Sequence, residues 1–307
     1  MDKHNKQILL PGVGWTALTV LIHPLLLKRG LRCISTVLRK FFFFQYRSAL
    51  FPHLPVSRVE HTLDDKIPFN PLFIRIYLDF SAFWIRILGF LCRHGKQGRV
   101  LAADFITSIT DLYSFAFLVY SKNLSTTDRP RYKKGMRFRL VHLLDPHLMC
   151  VPSLHVMLVI HGYTVLRRFL YCLGKESELN GLAEKTFKGA QAIAEAILYV
   201  KQHSINCIAA SLYAMRHFDS SLFSAADAEV FVQGLFSTEE AEDIPGEYAP
   251  YYKGPLIQAK DMECLRKHIM ELYGFFMNSD NNDWTAPILN FFKTLPQKPK
   301  KNDCKSA

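Results

Sequence analysis

No Cys-x-x-Cys pair occurs in the chain, and its seven cysteines are scattered and odd in number. A zinc framework or a set of disulfide staples is therefore not indicated, and free thiols filling apolar space are the simpler reading. Glycine and proline are modest at 15 each in 307 residues, which excludes a fibrous or low-complexity protein. Charged residues are only 21% against 49% hydrophobic, which excludes wholesale disorder. The sequence also lacks an internal repeat and a glycine-rich phosphate loop of the nucleotide-binding kind.

The chain is instead rich in aromatics and in positive charge, with 24 Phe, 13 Tyr and a formal charge of +11. The charge is unevenly placed. Residues 1–217 hold 29 Lys and Arg against 13 Asp and Glu, whereas residues 218–307 hold 9 against 14. A basic, apolar front and an acidic, polar back place a boundary near Phe218. Mean hydropathy is +0.04, high for a soluble enzyme and low for a transporter made mostly of lipid-facing helices, so it does not decide between the two.

Five apolar stretches lie in the front part. Ile8–Leu27 runs twenty residues without a formal charge, the length that crosses a hydrocarbon core, and is expected to be an uncleaved anchor. Phe69–Cys92 carries Arg75, Asp79 and Arg86; the last two are seven apart and share a helix face. Such charges are costly against lipid and should turn into a bundle or toward an interface. Val100–Tyr120 and His147–Leu173 follow. Gly189–Met215, interrupted by Lys201-Gln202-His203, reads either as one helix or as a hairpin bending at the polar triplet. With basic aromatic flanks such as Arg39-Lys40-Phe41-Phe42, these segments predict an all-α fold: a polytopic membrane bundle of about five to six transmembrane helices. The expected organisation is an anchor and basic aromatic segment (1–59), a membrane domain (60–217) and a polar helical tail (218–307). Within the tail, Ser224–Leu235 and Asp261–Phe276 have helical spacing, Glu239–Glu247 reads as an acidic loop, and the lysine-rich end reads as disordered.

Three short motifs stand at the ends of the apolar runs. Lys122 and Arg129-Pro130 form K-x6-R-P; Pro152-Ser153-Leu154-His155 opens the fourth run; Lys201-Gln202-His203 interrupts the fifth. Together they suit phosphoryl chemistry, in which negative charge spreads over three oxygens and fixed cations lower the barrier. Arg129 offers a planar fork, Lys122 a point charge, and Ser153 a hydroxyl near a helix N-terminus. Each motif alone also has a plainer reading: basic loops hold lipid headgroups, lone histidines fill cores, and lysines snorkel at helix ends.

In order and spacing these motifs resemble the type 2 phosphatidic acid phosphatase superfamily, in particular its branch of inositol phosphorylceramide synthase-like lipid phosphotransferases. The stretch Asp64-Asp65-Lys66-Ile67-Pro68-Phe69-Asn70-Pro71 is similar to the entry segment of that branch, and the resemblance covers residues 60–217. It implies a bundle of about six transmembrane helices with the site on the extracytoplasmic face. It also implies His203 as nucleophile, His155 as general acid, a phosphate held by Lys122, Arg129 and Ser153, and no metal or cofactor. The implied partners are a phospholipid or lipid phosphate and the bilayer, with no nucleic acid; the oligomeric state is left open. The chain departs from the family four residues after His203, where Cys207 stands in place of an aspartate that would orient the ring. Asp64, Asp65, Asp145 and Glu195 are carboxylates that folding could bring in instead. The alternative expectation is a catalytically impaired member that binds lipid or acts as a scaffold.

Overall fold

In the computed structural model, residues 10–130, 132, 134–174, 176–236, 248–251, 257–280 and 282–297 are described. The start of the uncharged run, the acidic loop 239–247 and the lysine-rich end beyond 297 lie outside them.

The run expected to be a single anchor is divided. Helix α1 spans Val13–Ile22, His23 is extended, and Pro24 opens helix α2, Pro24–Val37. A proline disfavours helical backbone at the residue before it, so the break falls at His23. Ten residues reach only about 15 Å, half of a hydrocarbon core. The chain continues through a π-helical turn at Leu38–Phe43, over the basic aromatic segment, into α3, Phe44–Leu50.

Phe69–Cys92 is also broken. A 3-10 turn at Pro71–Phe73 leads into α4 (Ile74–Leu78) and α5 (Phe80–Cys92). Asp79, between α4 and α5, faces Arg86 as the seven-residue spacing predicts: Arg86 Nη1 donates to Asp79 Oδ1 at 3.1 Å. Tyr248 Oη also donates to Asp79, and Arg75 donates to Tyr251, so the charges of this run are met partly by the tail.

Helix α6, Gly95–Tyr120, has 26 residues and is the only helix among the described residues both long and apolar enough to cross a membrane. It is followed by α7 (Met136–Leu144), α8 (Leu154–Cys172), α9 (Glu176–Tyr199) and α10 (Ile205–Phe218). The fifth apolar run is therefore the hairpin of two helices. Helices α8, α9 and α10 are almost wholly buried along their facing sides, for example at Val156, Ile160, Ile193, Ile197 and Ile208. Burying each such side chain contributes about 1.5–3 kcal/mol relative to exposure. Helix α2 lies against α6, and α5 against α6, α8 and α1.

The tail supplies α11 (Ala225–Gln233), α12 (Ala259–Asn278) and α13 (Thr285–Thr294). It is not detached: α12 packs along α10, with Leu265, Ile269 and Phe276 fully buried. The molecule is thus predominantly helical.

The short strands matter more than their size suggests. β1 (Val56–Arg58) pairs in parallel with β2 (Leu124–Thr126), aligning Val56 with Leu124 and Arg58 with Thr126. Met149 bridges Ser125 on one side and Gln297 bridges Ser57 on the other. Four distant segments are stitched together here, beside the motif residues.

Candidate active site

His203 sits in the elbow between α9 and α10, and the local backbone explains why. Helix α9 ends in a Schellman motif: Gln202 N–H donates to Ile197 O at 3.0 Å and Lys201 N–H to Leu198 O at 2.9 Å. Lys201 occupies the left-handed position at φ 53°, where glycine is the usual residue. Ser204 then caps α10, its Oγ accepting from Asn206 N–H at 3.2 Å. With one helix closed and the next opened around it, His203 has little freedom left.

The ring itself is fixed by the main chain. His203 Nδ1 lies 3.2 Å from the carbonyl oxygen of Cys150. A carbonyl only accepts, so this bond requires the proton on Nδ1 and leaves Nε2 with its lone pair. The carbonyl is presented by the stitched strands: Cys150 N–H donates to Ser125 O at 3.3 Å, and Ser125 N–H to Leu148 O at 3.0 Å.

His155 stands in the first turn of α8 and meets His203 edge-on, ring centroids 5.2 Å apart. Tyr77 of α4 and Phe80 of α5 pack on it at 4.7 and 4.3 Å between centroids. The two histidines that the motifs single out, 48 residues apart in sequence, are therefore neighbours.

Arg129 is part of the same cluster through Asp145. Its Nη1 donates to the Asp145 carbonyl at 2.9 Å and its Nη2 to Asp145 Oδ2 at 2.6 Å. Asp145 Oδ1 accepts from the His147 amide at 2.9 Å. His147 itself sits at φ 62°, accepts from Thr127 N–H through Nε2 at 3.3 Å, and lies 6.3 Å from the His203 ring. Left-handed backbone at a bulky residue is costly and concentrates at functional sites. Burial would raise the Asp145 carboxyl, but the bond from His147 and the charge of Arg129 outweigh it and hold it below the usual carboxylate range. Burial lowers His147, and lowers His203 further with help from the neighbouring His155 and His147, so both rings are neutral bases at rest.

A cavity of about 590 Å³ opens on His203, walled by Arg58, Glu60, Asp64, Thr127, Lys201 and Asp128. Arg58 pairs with Asp128, and Glu60 accepts from the Asp128 amide. Lys201 Nζ donates to the Asp64 carbonyl, and burial lowers its ammonium below the ordinary lysine value.

Not every expected site residue joins this cluster. Lys122 points to the tail, where its ammonium donates to Thr285 Oγ1 at 2.9 Å and lies 3.8 Å from Asp283. The cations that line the cavity of His203 are instead Lys201 and Arg58. Ser153 caps the start of α8 but its Oγ is buried without a hydrogen-bond partner; its amide donates to Ser211 Oγ at 2.7 Å. Cys207 does not face His203: its thiol accepts from the Ser204 amide at 3.4 Å inside the capping turn of α10. Asp64 does not reach the ring either. Its Oδ1 accepts from Ile205 N–H at 2.9 Å and its Oδ2 from His61 N–H at 2.8 Å, closing the N-terminus of α10. Arg58, Thr127 and His147 carry no motif in the sequence; Asp145 was one of several candidate carboxylates.

No family model, no curated protein and no solved structure matches the chain.

Proposed function

We propose that this protein is an integral membrane phosphatase or phosphotransferase that cleaves a lipid phosphate ester through a phosphohistidine on His203. The observation that carries the reading is the His155–His203 pair, 5.2 Å between ring centroids, with Nδ1 of His203 tied to a carbonyl. That arrangement leaves His203 Nε2 free to use its lone pair on phosphorus beside a cavity whose walls carry two cations, Arg58 and Lys201, among the carboxylates Glu60, Asp64, Asp65 and Asp128.

His203 Nε2 attacks phosphorus and the P–O ester bond breaks; His155, neutral at rest like its neighbours, takes up a proton from solvent as the anionic ester enters and gives it to the leaving oxygen. Water or an alcohol then attacks the phosphohistidine, passing its proton to neutral His155 while the P–N bond breaks. Arg58 and Lys201 face the developing charge across the cavity, and Arg129 is held rigid by Asp145 beside His155. The Cys150 carbonyl can orient the ring as a carboxylate at position 207 would, which supports the enzyme reading over an impaired scaffold.

Membrane integration is supported by large apolar side chains facing outward on α1 and α2, among them Leu18, Leu21, Ile22, Leu31 and Ile34, together with the long helix α6. Soluble proteins rarely leave a contiguous surface of this kind in water.

The test is turnover of a lipid phosphate in proteoliposomes, wild type beside His203→Ala. A loss of about 10³-fold or more, with an acid-labile phosphoryl group trapped only on the wild type, is expected. Equal and negligible turnover by both proteins sinks the reading.

A further inference from the structure

Helix α7 has two faces of unequal fate. Phe138 and Val141 are buried, Phe138 against Phe69 and Tyr132 at 6.0 and 5.0 Å between ring centroids. On the other side Met136 is 85% exposed, Leu140 48%, Leu143 72% and Leu144 46%. At about 100° per residue these four fall within one sector of about 100°, with Arg139 about 40° beyond one edge and Arg137 about 20° beyond the other. Both arginines are exposed. An outward apolar stripe bracketed by arginines fits a planar boundary: the stripe enters the acyl region while the long basic side chains rise to anionic headgroups.

The surface is continuous with its neighbour. Tyr46 of α3 donates to the Leu143 carbonyl at 2.9 Å, and Leu50 and Phe51 at the end of α3 are also exposed. Lys134, just before α7, adds another exposed cation. We infer that α7 lies in the plane of the membrane, in the headgroup region of an anionic leaflet, as an interfacial helix that sets the depth of the histidine site. The coupling to the site is direct. Leu144, the last residue of α7, is followed by Asp145, which holds Arg129 and the His147 amide. A leaflet that seats α7 thereby places the His155–His203 pair at the level of lipid phosphates. This rests on the membrane reading proposed above.

The experiment uses the full chain in vesicles containing anionic phospholipid, with Cys172, Cys264 and Cys304 replaced by Ser. A polarity-sensitive fluorophore is attached at Leu143→Cys or, as a reference on α1, at Leu21→Cys. Lipids bearing a quencher near the headgroup should quench the Leu143 probe more than lipids bearing it at the chain end, and aqueous iodide should reach it weakly. Quenching of the Leu143 probe by iodide alone, with the Leu21 probe quenched by lipid, overturns the inference and leaves the membrane reading standing. Protection from both quenchers means a protein covers α7, a second copy included, and also overturns it. If the Leu21 probe is itself quenched only by iodide, the membrane reading falls. In a kinetic arm, Leu140→Glu with Leu143→Glu should raise KM about tenfold for bilayer-borne substrate while leaving turnover of a dispersed short-chain lipid phosphate within about twofold. Equal losses on both substrates would assign the pair a structural role and overturn the inference.

Discussion

At the scale of single residues, the site depends on who orients His203. The ring is held by a main-chain carbonyl, and position 207 is engaged in the first turn of α10. Cys207→Asp, which would supply the aspartate of the family the motifs resemble, should therefore not raise turnover. It would add a buried carboxylate within the electrostatic reach of Asp64 and Glu60. The expected result is a loss of about 1–3 kcal/mol in denaturant unfolding with no gain in rate. A faster enzyme would show that the thiol, not the carbonyl, limits the native site. Asp145 is the opposite case. Asp145→Asn keeps the shape but removes the charge that holds Arg129, and kcat/KM should fall about 10–100-fold. Its pH signature follows from the depressed carboxyl. The group contributes stability in full above the unfolded value of about 3.9 and loses it only as pH falls toward the lower folded value. Acid unfolding of Asp145→Asn should accordingly lack that component.

At the scale of elements, the helices are short and interrupted, and close backbone approach holds them. A Cβ at Gly89 of α5 would sit 2.1 Å from Thr16 Oγ1 and 2.6 Å from Pro11 Cγ, so α1 is seated directly on this glycine. Gly89→Val should unseat α1 at a cost of about 1–3 kcal/mol, read as a lower unfolding midpoint and as new protease cleavage near His23. What was legible in the sequence follows the same division. The His155–His203 pairing was readable because both residues belong to short motifs at the ends of apolar runs, and the ends of neighbouring helices meet. The break at Pro24 rests on one residue's effect on the one before it, which a count of uncharged residues does not register. Arg58, Thr127 and His147 were not readable. They arrive through a parallel pairing of two three-residue strands and two isolated bridges, which have no periodicity to detect. Lys122 was misplaced for a related reason: its partner, Thr285, lies 163 residues away in the tail.

At the scale of the whole molecule, the contrast between a basic front and an acidic tail becomes a contact. Asp261 reaches Lys66 at 3.5 Å, Asp280 reaches His217 at 3.1 Å, and Pro296 forms part of the cavity wall beside His203. The tail thus closes one side of the candidate site, and its attachment has a titratable hinge. His268 of α12 stacks on His61, 3.9 Å between centroids, and its Nε2 lies 2.8 Å from Asn206 Oδ1. Asn206 Nδ2 in turn donates to the Val59 carbonyl at 3.1 Å, linking α12, α10 and the segment leading from β1. Burial, then the neighbouring His61, push His268 down to about 4, only partly offset by Glu271. Its unfolded value is about 6.5, so between these two values the detached tail binds the extra proton and the docked tail does not. The stability of docking is complete above about pH 6.5 and falls as the pH drops toward 4. Amide hydrogen exchange across residues 259–278 should therefore quicken more at pH 5 than unfolding of α8 or α10 accounts for. His268→Gln keeps a donor for Asn206 and cannot take up a charge. In that variant the exchange of α12, corrected for its intrinsic pH dependence, should become flat over the same range. If the variant retained the acid-induced opening, the proton would be acting elsewhere, with the His217–Asp280 pair the next contact to titrate.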